Sequence, residues 1–500
     1  MHYFGTHILT ITIFLPLLGI ILLAFIPSCL KEVIRIIALT TSLVVAMLAA
    51  KLWFDFANTG EFEFAEIIKW IPSLNIYYRI GLDGVSLLMV LLTALLVPIA
   101  ILSSWNEIQK QVKAFYILIL ALECGLLGVF SALDLFLFYI FWEVVLIPMY
   151  FLIGIWGNGK PVRSALKFFI YTMLGSVIML AAILYGASLT GGSFDIISWY
   201  AHPFPASQQL LLFIGFGLAF GIKIPIFPLH TWLPDAHTDA PTAGSVILAG
   251  ILLKMGVYGF YRLGIPIFPL ATATFAPLML TLAVISIIYG ALVAMVQPDL
   301  KRLIAYSSVS HLGFVVLGLF ALEPEAVKGA ILQMFNHGLS TGALFLLVGM
   351  LYERRGSRLI ADFGGIARAL PMLSVFFIVV SLSSLGLPGL NNFVGEFLIL
   401  LGSFQTQPVF ALTALAGVVL VAIYMLWLVQ RVFLGKLKDE NFFKLPDLTM
   451  REYWVLVPII ILIIGIGVWP KPWLMKIEKS TNNFISFATR ATSGNENTAK

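Results

Sequence analysis

Of thirty Lys and Arg residues, only Lys223 and Lys254 lie deep within long apolar stretches, GFGLAFGIKIPIFPLH and GSVILAGILLKMGVYGF. An ammonium in hydrocarbon costs at least about 2.5–3.5 kcal/mol, so such a charge faces a partner or a watered path. Lysine is also the cation that burial drives toward neutrality near pH 7, so lysines at this depth suit taking up and releasing protons. Glu143, in LDLFLFYIFWEVVLIPMYFLIG, is the expected partner of Lys223. The bland alternative is a static buried pair that pins two helices, in which desolvation can outweigh attraction. Lys254 shares a helical stripe with Tyr258 and Tyr261. A lysine that snorkels to its helix end is the alternative there.

Two further stretches add groups that pass protons. LIAYSSVSHLGF sets Ser307, Ser308 and His311 on one helical face, and ILQMFNHGLSTG sets Gln333, Asn336, His337 and Ser340 on another. A lone histidine is usually a satisfied core residue, but two polar stripes that each carry one favour a relay, since imidazole titrates near neutrality. Glu396 follows SLGLPGLNNFVGEF and suits a terminal proton site, or a carboxylate held at the start of a half-helix. Glu123 and Asp134 are secondary candidates, either for a proton inlet or as helix caps. PLHTWLPDAHTDAPTAG holds His230, Asp235, His237 and Asp239, which invites a metal reading. The two histidines stand seven apart and are interrupted by Pro234, so tetrahedral closure is not implied. The expectation is a segment that re-enters between helices, with His230 and His237 hydrating the central path. The run Glu353, Arg354, Arg355, Arg358 reads as a surface anchor.

The elements that must hold these groups are membrane helices. The composition is 60% hydrophobic and 11% charged, far from the quarter charged of a soluble domain. Apolar runs near 20 residues fit helices rather than the weak alternation of a barrel. The net charge of +5 lies mostly in loops and gives no sign of nucleic acid. Cys29 and Cys124 match no metal or redox spacing and read as packing residues, and no metal is expected in the chain. The first apolar run lacks a basic leader and a cleavage site, so it is expected to be retained.

The expected fold is an all-α polytopic membrane protein of about fourteen transmembrane helices. Loops after odd-numbered spans hold eighteen Lys and Arg; those after even-numbered spans hold Lys69, Arg79, Arg262 and Lys328. The positive-inside rule then places both termini on the outer side. Pro225 and Pro228 break span seven, and Pro388 and Gly389 break span twelve. Breaks at corresponding positions point to inverted repeats, here two five-helix units. The expected division is 1–110 (spans one to three), 111–265 (spans four to eight), 266–435 (spans nine to thirteen) and 436–500 (span fourteen and a tail).

FYIFWEVVLIPMYFLIGIWG, KIPIFPLHTWLPDAHTDAPTAGSVILAGILLKMGVYG and PGLNNFVGEFLIL closely resemble the antiporter-like membrane subunits of NADH:quinone oxidoreductase, respiratory complex I. The resemblance covers residues 80–435 strongly and the ends weakly. Within that group, the length, the lack of a long lateral C-terminal helix and the FWEVVLIPMYFLIG wording resemble the subunit M, or chain 4, type. The resemblance implies a proton-translocating membrane-arm subunit. Glu143 and Lys223 would be the charge pair of a first half-channel, Lys254 the central acceptor, His311 and His337 relays, and Glu396 the terminal acid. Sister subunits often carry lysine at that last position; glutamate agrees with subunit M.

The resemblance also implies that NADH, flavin, iron–sulfur clusters and quinone belong to partner subunits, with no cofactor in this chain. The partners would be other membrane-arm subunits, including sister antiporter-like chains, in an obligate hetero-oligomer embedded in the lipid bilayer. The expected location is an energy-transducing membrane, the inner membrane of a bacterium. Two rivals share the same residues. One is a subunit of a multi-chain sodium/proton antiporter or of a membrane-bound hydrogenase; the other is a scaffold whose polar groups only lock helices together.

Overall fold

Thirteen helices are long and apolar enough to cross a membrane among the described residues, 7–489 in this computed structural model. In chain order the first are α1 (Ile8–Phe25), α2 (Lys31–Asp55), α3 (Gly84–Glu107), α4 (Val112–Ser131), α5 (Leu135–Trp156), α6 (Pro161–Leu189) and α7 (Ala206–Lys223). A short α8 (Trp232–Asp239) follows, then α9 (Thr242–Ile267), α10 (Pro269–Met295), α11 (Leu300–Phe320) and α12 (Pro324–Arg355). The expected twelfth span is split into α13 (Pro371–Ser384) and α14 (Asn391–Thr406), neither long enough to cross alone. α15 (Pro408–Phe433), α16 (Met450–Val468) and an amphipathic α17 (Lys471–Ala488) complete the chain.

Carboxylates start several of these helices by taking backbone N–H groups that lack an intrahelical acceptor. Asp83 accepts from Ser86 N at 2.9 Å, Asp299 from Arg302 N at 3.0 Å and Glu323 from Ala326 N at 2.8 Å. Thr449 and Glu452 form a capping box at the start of α16. α9 and α12 occupy the centre: every residue of their most apolar stretch is buried, against a third in α6, α15 and α16. These two helices are shielded by the others from the surrounding phase, so polar side chains on them are enclosed by protein.

Both expected breaks are present, and other groups satisfy the backbone they free. After α7 the chain turns through Ile224–Thr231, where Trp232 Nε1 donates to Ile222 O at 2.9 Å and Phe227 N donates to Ser286 Oγ at 3.0 Å. Between α13 and α14, Gly386 and Gly389 adopt φ of +78° and +91°, a backbone that glycine accepts without strain. Asn391 closes this break: its Oδ1 accepts from Ser383 Oγ at 2.6 Å, and its carbonyl accepts from Asn336 Nδ2 at 2.7 Å.

Several expectations need correction. The chain is not purely α: β1 (Glu63–Ile71) and β2 (Ile76–Leu82) pair antiparallel, with Ile68 opposite Tyr78. Strong β formers (Phe64, Ile67, Ile68, Trp70, Ile71 and Ile76, Tyr77, Tyr78, Ile80) fill both strands, and buried Glu66 ties the hairpin to α1 through Thr10 Oγ1 at 2.7 Å. Cys29, expected as a packing residue, is exposed in the α1–α2 turn; Cys124 is buried as expected. The residues after span fourteen are more than a tail. α17 lies across the hairpin end, where Lys476 Nζ donates to Phe56 O at 2.6 Å and Asn483 Nδ2 to Gly60 O at 2.7 Å. Its Lys471, Lys476 and Lys479 weaken the charge contrast between the hairpin face and the opposite, basic face. The expected positions of the two termini fall outside the described residues.

The basic run after α12 clamps neighbouring segments. Arg354 Nη1 and Nη2 each reach a Glu452 carboxylate oxygen at 2.7 Å, and its remaining donors take Pro446 O and Asp447 O, both at 2.9 Å. Arg358 pairs with Asp299 and Arg355 with Asp439. Removing one partner of a buried pair strands the other, at a cost of about 3–5 kcal/mol. Glu452→Ala is therefore expected to lower the thermal unfolding midpoint of the detergent-solubilised protein strongly. Glu61→Ala, in the exposed turn before the hairpin, is expected to leave that midpoint in place.

Candidate functional site

Lys254 is fully buried at the centre of α9, within a seven-residue α-helical stretch bracketed by π-helical turns at Leu248–Leu252 and Phe260–Gly264. A π-turn shifts the backbone ladder by one residue, and such bulges recur at functional sites. Here Ala249 O accepts from Lys254 Nζ at 2.5 Å. The same Nζ meets His337 Nδ1 of α12 at 2.7 Å. The contact works in both directions: an ammonium donates to a bare Nδ1, and a protonated Nδ1 donates to an amine.

From His337 the polar line continues across the bundle. The rings of His337 and His311 stand 5.8 Å apart between centroids. His311 Nδ1 meets Glu396 Oε1 at 2.8 Å, and Gln333 Nε2 donates to that oxygen at 3.0 Å. Four of the expected residues, Lys254, His337, His311 and Glu396, are thus brought into one buried row over three helices and a half-helix. Nε2 of both histidines is buried without a protein partner among the described residues. Buried polar atoms of this kind are places for ordered water.

The first half is looser. Lys223 ends α7 with its Nζ 5.1 Å from the ring centre of Trp142 and 5.9 Å from that of Phe168, so aromatic faces hold the cation. Glu143 is only partly buried on α5 and is held by the Ser176 hydroxyl of α6. Among the described residues no ion pair within 4 Å joins Glu143 to Lys223, but the two lie close enough for their charges to act on each other. His230 stacks on Phe227 at 5.7 Å and His237 on Phe345 at 4.7 Å, and all four of their ring nitrogens are buried without partners among the described residues. His237 lies close enough to Lys254, Lys301 and His337 for their charges to act on one another.

Of the secondary candidates, Glu123 is fully buried on α4 with neither oxygen partnered among the described residues. Asp134 takes the cap reading: Oδ1 accepts from Phe136 N at 2.9 Å and Leu137 N at 3.0 Å. Burial pushes its carboxyl up to about 6, against the pull of those donors. The segment with His230 and His237 is tied down by its acids. Asp235 pairs with Lys167 at 2.7 Å and Arg302 at 3.1 Å, and Asp239 accepts from Ser164 Oγ at 2.7 Å. Among the described residues no group of three or more His, Cys, Asp or Glu is placed to hold a metal.

Lys301 and Arg262 are among the buried cations that sequence reasoning missed. Lys301 donates to Ala240 O at 2.8 Å, and Arg262 pairs with Asp83 at 2.6 Å. Both flank polar loops and read as surface charge; the available signal was an acid, Asp83, at the start of an apolar span. Tyr258 and Tyr261 also belong elsewhere than expected. Tyr258 OH bonds Ser86 Oγ at 2.8 Å and Arg262 Nε at 3.2 Å, whereas Lys254 turns to His337.

The profile of the NADH:quinone oxidoreductase/Mrp antiporter transmembrane family matches residues 132–423, which hold every member of the buried row. The chain is 44% identical to NADH-ubiquinone oxidoreductase chain 4 of Chondrus crispus over 95% of this chain and 97% of that one. It is 41% identical to NADH-quinone oxidoreductase subunit M of Rhodobacter capsulatus over 98% of this chain and all of that one, 100%. A chain in the structure of respiratory complex I from Thermus thermophilus with bound NADH superposes with a TM-score of 0.89 at 33% identity, covering 96% of this chain and 99% of that one. A chain of the archaeal membrane-bound sulfane sulfur reductase superposes with a TM-score of 0.84 at 25% identity, covering 93% and 77%. This chain belongs to the NADH:quinone oxidoreductase/Mrp antiporter transmembrane family.

Proposed function

We propose that the chain is a proton-translocating membrane-arm subunit of NADH:quinone oxidoreductase, of the subunit M (chain 4) type. The single observation that carries the chemistry is the buried row Lys254–His337–His311–Glu396, with contacts of 2.7 Å and 2.8 Å at its two ends. Full-length similarity at over 40% identity to subunit M and chain 4 favours this assembly over an antiporter or a reductase of the archaeal kind. NADH oxidation, flavin, iron–sulfur clusters and quinone reduction belong to partner subunits, and the chain works only in their company.

α13 and α14 together make a fourteenth crossing, and the breaks after α7 and α13 mark equivalent points of two inverted five-helix units, 111–265 and 266–435. The helices of 1–110 and 436–500 flank them. The basic face is the inner side of an energy-transducing membrane, and the hairpin face is the outer side with both termini. The breaks give each unit backbone groups that line a path, as discontinuous helices do in transporters.

Glu143 and Lys223 form the switch, with Glu143 parted from Lys223 in the arrangement described above. Movement driven by quinone reduction elsewhere brings Glu143 to Lys223 or away from it. A carboxylate at 4 Å from an ammonium is worth about 4 kcal/mol at an effective dielectric near 20. Moving one charge across 100 mV costs about 2.3 kcal/mol. Making and breaking that contact is therefore enough to send a proton from Lys223 toward Lys254 against a working potential. His237, with two unpartnered nitrogens and Lys254 nearby, bridges this stretch through water; His230 hydrates the break. Glu123 is a reserve carboxyl on the same side of the bundle.

Two variants in the assembled complex test these roles. Lys223→Arg keeps the charge but holds its proton, so NADH-driven acidification of vesicles is expected to fall about as far as in Lys223→Ala. Normal pumping by Lys223→Arg removes proton release from this side chain. Glu396→Gln keeps a side chain able to bond His311 and Gln333 but carries no transferable proton. It is expected to assemble normally and pump poorly; full pumping would place the end of the path elsewhere.

A further inference from the structure

One buried charge has no part in the row. Arg262 lies on the second π-turn of α9, eight residues beyond Lys254 on the hairpin side, and is almost fully buried. Its donors divide between two directions. Nη2 pairs with Asp83 Oδ1 at 2.6 Å, and both residues line a cavity of about 260 Å³ with Tyr200, Tyr261, Ser480 and Phe484 at the hairpin face. On the inward side Nε donates to Tyr258 OH at 3.2 Å and Nη2 to Ser86 Oγ at 3.3 Å. Tyr258 OH in turn bonds Ser86 Oγ at 2.8 Å and donates to Phe130 O at 3.0 Å. The rings of Phe62, Tyr258 and Tyr261 surround the guanidinium at 4.9, 5.4 and 5.3 Å.

Tyr258 is one helical turn from Lys254 on the same face. A hydroxyl chain from the cavity therefore ends within one turn of the central lysine: Asp83 and Arg262, then Ser86 and Tyr258. A pump with Lys254 at its middle is short-circuited if protons cross this turn to the outer phase. A helix clasp alone does not explain the guanidinium. α9 is already fastened to α3 by the Tyr258 OH–Ser86 Oγ bond at 2.8 Å and to α17 by Tyr261 OH to Ser480 O at 3.0 Å, neither of which uses Arg262. What Arg262 adds is a positive charge that does not titrate, set between the hairpin-face cavity and Tyr258, the residue one turn from Lys254.

We propose that Arg262, held by Asp83, is a fixed-charge seal that blocks proton leakage between Lys254 and the outer phase along α9. Protons that reach Lys254 are thereby left with the route through His337. This rests on the proton-path reading above, and a leak measured without turnover tells the two apart.

The test uses the assembled complex in sealed liposomes with a trapped pH dye and no NADH, reading the decay of an imposed pH gradient. Arg262→Gln keeps polar contacts to Asp83 and Tyr258 and is expected to speed the decay several-fold. Arg262→Lys and Asp83→Asn, which keep a cation, are expected to stay tight. Adding Tyr258→Phe to Arg262→Gln, which removes the hydroxyl step, is expected to restore tightness. Should Arg262→Gln fail to assemble, the neutral pair Asp83→Asn/Arg262→Gln carries the same expectation. An assembled neutral variant as tight as the parent overturns the seal. So does equal leakage from Asp83→Asn and Arg262→Gln, which makes the pair a clasp. Full pumping by Glu396→Gln alongside a leaky Arg262→Gln would instead defeat the path reading while leaving the seal.

Discussion

The contact between Lys254 and His337 is the constraint on which the rest of the structure depends. A fully buried lysine amine must find acceptors within protein, and this one has two: Ala249 O beside the π-turn of its own helix and the imidazole of the neighbouring helix. The first is available because α9 departs from regular α geometry at Leu248–Leu252. The second requires α12 to pass close by, which small residues permit: Gly250 and Gly338 face each other, with a Cβ built on Gly338 only 2.8 Å from Gly250 O. An alanine at Gly338 pushes the helices apart and takes His337 with them.

The same logic extends outward. A proton row through hydrocarbon needs polar groups at each step, and helices hide their own backbone. The chain answers with two interrupted helices and two π-turns, each beside a charged or ionisable side chain: Lys223 at the first break, Glu396 after the second, Lys254 and the permanently charged Arg262 at the turns. Asn391 and Asn336 exchange hydrogen bonds across the second break, so the irregular backbone stays enclosed and Glu396 is presented to His311. Imidazole nitrogens of the row that are buried without protein partners among the described residues are places for ordered water.

Much of the site is legible in the sequence because a charge inside an apolar run is costly and stands out. Lys223, Lys254 and Glu396 announce themselves this way, and polar stripes at helical spacing point to His337, which meets Lys254, and His311, which meets Glu396. What fails are inferences about which face a side chain takes. Tyr258 shares the regular stretch Leu253–Gly259 with Lys254, yet its hydroxyl goes to Ser86, Phe130 O and Arg262 while Lys254 takes Ala249 O and His337. Tyr261, on the second π-turn, goes to Ser480 O. Arg262 itself looks like a loop charge because the turn after it is Gly264 and Pro266, while α17 and the hairpin bury it. That burial comes from chain more than two hundred residues away, through Ser480 and Phe484, which no local pattern reveals. The hairpin escaped for the opposite reason: its strands are short, half exposed and lie between long apolar helices.

The account stands on Lys254 as the point where the two halves meet. The most direct measurement is NADH-driven proton uptake by vesicles carrying assembled complex with Lys254→Met, a side chain of similar length that cannot hold a proton. Proton movement coupled to electron transfer is predicted to fall to a small fraction of the parent level while the subunit is present at normal abundance. Unchanged proton movement per NADH oxidised would mean that the buried row only locks helices together, and the account would be wrong.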